Sequence, residues 1–403
     1  MYIIDTVDTY IYTTYMAHLR KRFITEILKK YMNYWPVVGV LGLRQSGKTT
    51  LFEKLMDAEN RITLDDRNIT DEIAISPKAF LAKFPTPLLI DEAQKSPDLF
   101  DAIKLRVDRK KIPGSYLLTG SSQFSTKVGI RESLTGRIGL LRLYPFTLAE
   151  AHQLKFDHQR TKPNHSQKTR ISVEEFSNQL ASGGLPVPLF SRDTEMRKFY
   201  FKEWLETTVF RDLARAFGKN YNPDFTWSLL EQFGASMKNG ELVTVQTFKQ
   251  DSRKVKRYLE ALADVFLIYK VPCHEAGVGR DAWLISDVGI ANHLMNHDRG
   301  EGVLLSQVRI QAMNEILANV HYAGESFRPV YYKTARGNPI DLIWKDYAIK
   351  FSVSKLSQLN YDERPMESCI KKLKLKGGYL ATPFDSVSLD RAKMKVVSWS
   401  HWC

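Results

Sequence analysis

The chain has 403 residues, 43% of them hydrophobic, and a formal charge of +13. That length supports two or three domains with sizeable cores, and no apolar run is long enough to cross a bilayer. Three cysteines, Cys273, Cys369 and Cys403, lack CxxC spacing, which argues against a disulfide framework and fits the reduced thiols of a cytoplasmic protein.

Residues 1–19 are expected to be an N-terminal extension; acidic residues and the lack of a basic start argue against a secretion signal there. From 20 to 150, apolar runs at 37–42, 61–65, 87–91, 115–120 and 138–143 alternate with helical patterns. The alternation predicts an α/β domain whose parallel sheet is covered on both faces.

Within it, GLRQSGKT (42–49) matches G-x-x-x-x-G-K-[ST] in full, after an apolar strand and before an amphipathic stretch of Leu51, Phe52, Leu55 and Met56. Gly42 and Gly47 are expected to let the backbone curl so that its N–H groups face phosphate oxygens. Lys48 should reach the β- and γ-phosphates of ATP, and Thr49 should offer a hydroxyl to Mg²⁺. Gln45, Ser46 and Thr50 complete the nucleotide-binding loop. Arg44 either touches phosphate or braces the loop.

PLLIDEAQ closes a strand with Asp91, a candidate Mg²⁺ ligand, and Glu92, a candidate general base. YLLTGSS brings Thr119, Ser121 and Ser122 to the same sheet edge, either to sense the γ-phosphate or as ordinary turn residues. Arg137, in SLTGRIG, is a candidate transition-state arginine, acting in cis or on a neighbouring subunit.

Residues 151–172 are polar without a period and read as an exposed linker. The segment 173–272 reads as mostly helical. In SRKVKRYLEAL, Ser252 is the expected N-cap, and Val255, Leu259 and Leu262 should face inward. Arg253, Lys256 and Arg257 would then face outward, as DNA-binding residues or as a solvated helix face. Basic clusters at 104–111, 252–257 and 371–376 could neutralise successive phosphates, so DNA is the expected macromolecular partner. From 273 to 403, strands and helices mix.

The stretches GLRQSGKTTL, PLLIDEAQKSPDLFDAIKLRVDRKKIPGSYLLTGSSQF, ESLTGRIGLLRLYPFTLAE, GGLP (183–186) and VKRYLEALADVFLIYKV carry a resemblance. In these strings the chain resembles the prokaryotic AAA-type P-loop ATPases with a C-terminal domain of uncharacterised function. The resemblance implies an additional-strand ATPase, then a winged-helix-like segment, then an α+β PD-(D/E)XK nuclease-like domain over 273–403. Such nucleases hold a metal on an aspartate and a second acid from the next strand, with a lysine two positions on. Here Asp341 fills the first place, but AIKFS (348–352) puts Lys350 where the second acid belongs. Shifting the register puts Ala348 there, so neither register yields two carboxylates. If Lys345–Asp346 is a two-residue turn, Trp344 faces Tyr347 and Asp341 faces Lys350 as a cross-strand ion pair. The expected site is a degenerate one, with Glu315 in the place of the first-helix acid.

Three function classes follow: an ATPase whose nucleotide state controls a DNA-engaging region, an ATP-gated nuclease, and a nucleotide-switched protein–protein module. A homo-oligomer is compatible with each.

Overall fold

The computed structural model describes residues 20–55, 60–123, 134–164, 166, 170–298, 300–335, 339–354, 364–384, 390–391 and 394–403. The predicted extension at 1–19 and Met56 lie outside the described residues. Two compact units divide the chain, residues 21–144 with 264–266 and residues 145–263 with 267–403. No helix among the described residues is long and apolar enough to cross a membrane.

In the first unit, β1 (Val37–Gly42), β3 (Leu88–Asp91) and β4 (Tyr116–Gly120) are buried along their whole length. Continuous apolar burial is what a sheet covered on both faces demands. With β2 (Arg61–Thr63) and β5 (Ile138–Leu143) they form a parallel sheet in the order β2-β3-β4-β1-β5. The predicted α/β domain is present, with the second strand ending two residues early. The helices are α1 (Ile24–Met32), α2 (Lys48–Glu53), α3 (Arg67–Ile75), α4 (Pro77–Ala82) and α5 (Asp98–Arg109). Asp66 caps α3, and Ser76 caps α4 with a proline in its first turn. Because β4 lies between β1 and β3, hydroxyls at its end stand between the phosphate-loop strand and the carboxylate strand.

The second unit begins with α6 (Leu148–Ala151), α7 (Val173–Ser182), α8 (Thr194–Thr207), which runs on through a π-helical turn at Thr208–Leu213, and α9 (Pro223–Lys238). The GGLP string follows α7 because two side chains would not fit there. A Cβ on Gly183 (φ 75°) would lie 2.6 Å from Asp287 Oδ1, and one on Gly184 would lie 2.8 Å from Phe146 O. The Gly184 N–H donates to Asp287 Oδ2 at 2.7 Å.

Next come β6 (Val243–Thr244), α10 (Ser252–Asp264), β7 (Ile268–Val271) and β8 (Ala282–Ile285), the strands in the antiparallel order β6-β8-β7. Val255, Leu259 and Leu262 are buried, as expected. The N-cap is Asp251, not Ser252: its carboxylate accepts from the N–H groups of Arg253 (3.1 Å) and Lys254 (3.0 Å). An ionised acceptor beats a hydroxyl at a helix start.

After α11 (Val288–Met295), α12 (Leu305–Tyr322) is buried over nearly its whole length, polar residues included. Several of those polar groups find specific partners: Gln307 bonds Asn292, Asn314 bonds Ser286 O, and Asn319 bonds Trp402 O. The mixed sheet of this part runs β13-β14-β12-β11-β10-β9, and α13 (Arg364–Leu373) packs on it. Its strands are β9 (Val330–Tyr332), β10 (Ile340–Trp344), β11 (Tyr347–Phe351), β12 (Gly377–Thr382), β13 (Asp390–Arg391) and β14 (Met394–Ser398). The β10–β11 register pairs Trp344 with Tyr347, so Lys345–Asp346 is indeed the turn, entered by Lys345 at φ 53°.

Within the expected exposed linker, His158, Gln159 and Lys162 are exposed, but the residues between and beside them are not. Arg160 and Thr161 are buried, and Pro163 O accepts from the Trp402 indole.

Candidate active site

The phosphate loop runs from β1 into α2. A Cβ on Gly42 would lie 2.3 Å from Leu143 O of β5, so glycine is needed here for strand approach, not for the expected curl. The curl comes from Gln45 (φ 58°) and Gly47 (φ 95°). Lys48 is buried, and its ammonium donates to the carbonyls of Gly42 at 3.0 Å and Leu43 at 2.9 Å. Arg22, also buried, donates to Ser46 O at 3.0 Å and Tyr144 O at 2.7 Å, tying the loop to the chain beyond β5. Ser46 Oγ is buried without a hydrogen-bond partner among the described residues. Arg44 and Thr50 are half-buried and Gln45 is exposed.

Facing the loop, Asp91 ends β3. Its Oδ1 accepts from Thr49 Oγ1 at 2.9 Å and from Thr119 Oγ1 of β4. Arg61 of β2 lies 3.7 Å from Oδ2 and also pairs with Glu53 of α2. Glu92 turns out of the strand in the left-handed region (φ 56°, ψ 42°), a conformation uncommon outside glycine. Its N–H donates to Thr119 Oγ1 at 3.2 Å, and its Oε2 accepts from Ser121 Oγ at 2.9 Å and from Gln94 Nε2. Burial opposes ionisation of Glu92, but the Lys48 charge and the bonds from Gln94 and Ser121 outweigh it and hold the carboxyl below its usual range.

The hydroxyls of Thr119 and Ser121 are therefore divided between the two carboxylates. Thr49 and Asp91 form the pair that could hold a divalent cation. The glycine turn, the buried ammonium and the unpaired Ser46 hydroxyl suit a polyphosphate.

Lys48, Thr49, Asp91, Glu92, Thr119 and Ser121 are thus brought together as the sequence suggested. Arg137 is not. Val37 N–H donates to Arg137 O, which puts this residue at the opposite edge of the parallel sheet, a β1 strand length away (about 16 Å at ~3.3 Å per residue). Its guanidinium grips Asp108 at 2.6 and 3.0 Å. This corrects the cis assignment: the strand direction carries Arg137 away from the phosphates. Arg22, Arg61 and Gln94 were missed. Gln94 was signalled by the DEAQ string, whereas Arg22 and Arg61 are joined to the site only by the fold.

Among the DNA candidates, Arg253, Lys256 and Arg257 are exposed as expected. Lys256 lies 3.9 Å from Glu260, and Arg257 stacks over Phe217 at 4.3 Å. At the hairpin, Asp341 Oδ1 accepts from Arg309 Nε at 2.7 Å, while Oδ2 accepts from Phe351 N–H at 2.8 Å and lies 3.5 Å from Lys350 Nζ. Burial would raise the Asp341 pKa, but the charges of Arg309 and Lys350 hold it below the ordinary value. Glu315 does not join this group. Its Oε1 caps α6 by accepting from Leu148 N–H at 2.7 Å, and burial pushes its pKa up to about 8. Arg309, six residues earlier on α12, occupies the hairpin instead.

Residues 34–152 match the family model described as an AAA domain. The first unit carries an AAA-type ATPase domain. Residues 173–301, beyond the AAA domain, match a domain of unknown function (DUF8612). Curated relatives are uncharacterized proteins of Mycobacterium bovis and Mycobacterium tuberculosis. Each is 27% identical over 291 residues, covering 70% of this chain and 60% of the relative, so the chain spans about three-fifths of their length.

Among solved structures, the Walker-type ATPase of Pyrococcus abyssi is 16% identical with a TM-score of 0.38, covering 67% of this chain and 94% of that one. A signal-transduction ATPase with a tetratricopeptide-repeat sensor from Pyrococcus horikoshii is 14% identical with a TM-score of 0.27, covering 74% and 47%. A DNA replication initiation factor is 12% identical with a TM-score of 0.24, covering 59% and 85%. These scores are low, and the AAA assignment rests on the family model and the site geometry.

Proposed function

We propose that the chain is a Mg²⁺-dependent, cytoplasmic ATPase whose nucleotide state controls a DNA-engaging C-terminal region. The observation that carries the ATPase reading is the network at the sheet edge, in which Thr49 and Thr119 meet on Asp91 while Ser121 and Gln94 hold Glu92. Bound Mg–ATP supplies the electrophilic phosphorus and the metal charge that offsets its oxygens. Lys48 would leave the two loop carbonyls to neutralise phosphate oxygens, and Thr49 and Asp91 would hold the metal. Glu92 is ionised and fixed by two donors, which suits it to orienting a water by accepting its hydrogen bond. Thr119, bonded to both Asp91 and the Glu92 backbone, is suited to transmit a change at the phosphates.

The test is ATP turnover beside nucleotide binding. Lys48→Ala is expected to lose binding. Glu92→Gln is expected to bind normally and to lose turnover by at least a hundredfold; normal turnover in Glu92→Gln would refute the base assignment.

The β6-β8-β7 order, with α10 between β6 and β7 in the chain, supports the winged-helix reading, and the net charge of +13 supports an anionic partner. Asp341, with both oxygens committed to Arg309, Phe351 and Lys350, favours a degenerate site over an ATP-gated nuclease. A nucleotide-switched protein module predicts turnover and binding indifferent to DNA.

A further inference from the structure

A cavity of about 950 Å³ opens beside the hairpin, within the second unit. Among the described residues, four cations line it, Arg280, Arg309, Lys333 and Lys350, against one acid, Glu241. Its floor is the ion cluster already described, in which two buried cations share the single carboxylate of Asp341. Among the described residues, one positive charge is therefore left without a carboxylate of its own in a buried position, which favours an anion or water beside it.

The donors are not exhausted. Arg309 uses Nε on Asp341 and Nη1 on Gly240 O, with no bond from Nη2 to a described residue. Lys350 donates to Pro339 O at 2.6 Å. Its ammonium is harder to charge than an ordinary lysine, through burial first and Arg309 repulsion after it, with Asp341 opposing both; an incoming anion would relieve this. At the cavity mouth, Arg280 and Lys333 are exposed, and neither side chain is paired with a described residue. The hydroxyl-bearing Ser352 and Ser354 also line the wall.

Such a site repels a metal cation and suits an oxyanion. Its volume exceeds that of one phosphate and falls in the range of pockets that enclose whole small ligands.

We propose that this cavity binds phosphate groups of nucleic acid, making the former metal locus an anion pocket. The proposal rests on the DNA-engaging reading above and moves its contact point from α10 to the hairpin.

The experiment is fluorescence-anisotropy titration of a 5′-phosphorylated single-stranded oligonucleotide across a salt series. It uses the full chain carrying Lys48→Ala, so that the phosphate loop does not contribute. Arg280→Ala with Lys333→Ala removes two exposed cations and leaves the buried cluster intact. Affinity is expected to fall at least tenfold, with a salt slope about 1.4 smaller at ~0.7 per phosphate contact. Lys350→Met in a separate chain should weaken binding in the same direction, whereas Arg253→Ala with Lys256→Ala should leave it within twofold.

Loss confined to the α10 variants would overturn the pocket and leave the DNA reading standing. No binding by the parent would overturn both. A labelled mononucleotide that needs the pocket residues, with no strand binding, would make the ligand a free nucleotide and overturn the nucleic-acid assignment.

Discussion

Replacing Asp341 by alanine separates an ion cluster from a metal site. The carboxylate compensates Arg309 and Lys350 in a buried position and accepts the Phe351 N–H. Removing one partner of a buried ion pair costs about 3–5 kcal/mol, and stranding a buried N–H costs about 1–3 kcal/mol. These losses share one site and do not add, so about 4 kcal/mol is expected.

The readout is amide hydrogen exchange. At about 1.4 kcal/mol per tenfold, the 340–351 hairpin should exchange roughly a thousandfold faster, while the 37–42 strand of the other unit should be unchanged. Asp341→Asn should cost less, because its amide oxygen still accepts from Phe351. The pH dependence has a definite sign. With its folded pKa depressed, Asp341 contributes stability above its unfolded value near ~3.9, and this is lost as pH falls through the folded value. Exchange in Asp341→Ala within threefold of the parent, together with Mn²⁺ protecting the parent hairpin, would refute the ion-cluster account.

Three further outcomes are expected. Arg22→Met should weaken ATP-analogue binding at least tenfold and destabilise the first unit by about 2–4 kcal/mol, through two lost charged hydrogen bonds; unchanged affinity would reduce Arg22 to a scaffold residue. Arg137→Ala should leave turnover within twofold at low protein concentration, since the side chain lies on Asp108; loss that grows with protein concentration would instead reveal action on a neighbouring copy. Glu315→Gln concerns a carboxyl whose pKa is raised to about 8, so its stabilising contribution is complete below ~4.5 and disappears as pH rises through about 8. The glutamine variant should flatten the melting temperature of the second unit between pH 5 and 9 and stabilise it at pH 9 by about 5 kcal/mol. An unchanged pH slope would contradict the assignment.

The phosphate loop was legible because its geometry is local. Gly47, Lys48 and Thr49 act within one turn, and Asp91 and Glu92 end an apolar strand whose direction the sequence reveals. The hairpin register was legible for the same reason, since a two-residue turn fixes every pair after it. What the sequence could not disclose is what arrives from afar. Arg309 reaches Asp341 from 32 residues upstream on a helix whose polar residues look solvent-facing until the fold buries them. Arg137 was a candidate as an arginine in SLTGRIG, but strand polarity, a property of the assembled sheet, sets it at the end of the sheet away from the phosphate loop. Arg160 and Pro163, within a polar run, bond to His401 and Trp402, which composition cannot anticipate.

Glu92 occupies a backbone conformation that glycine would adopt at less cost. Selection for thermal tolerance alone, with no demand on nucleotide turnover, should therefore find glycine at position 92 early. Selection for activity should keep the glutamate and seek its gains elsewhere. On the proposed role of Glu92, the position makes durability and chemistry competing traits, and directed evolution under each pressure separately would expose the conflict at this one codon.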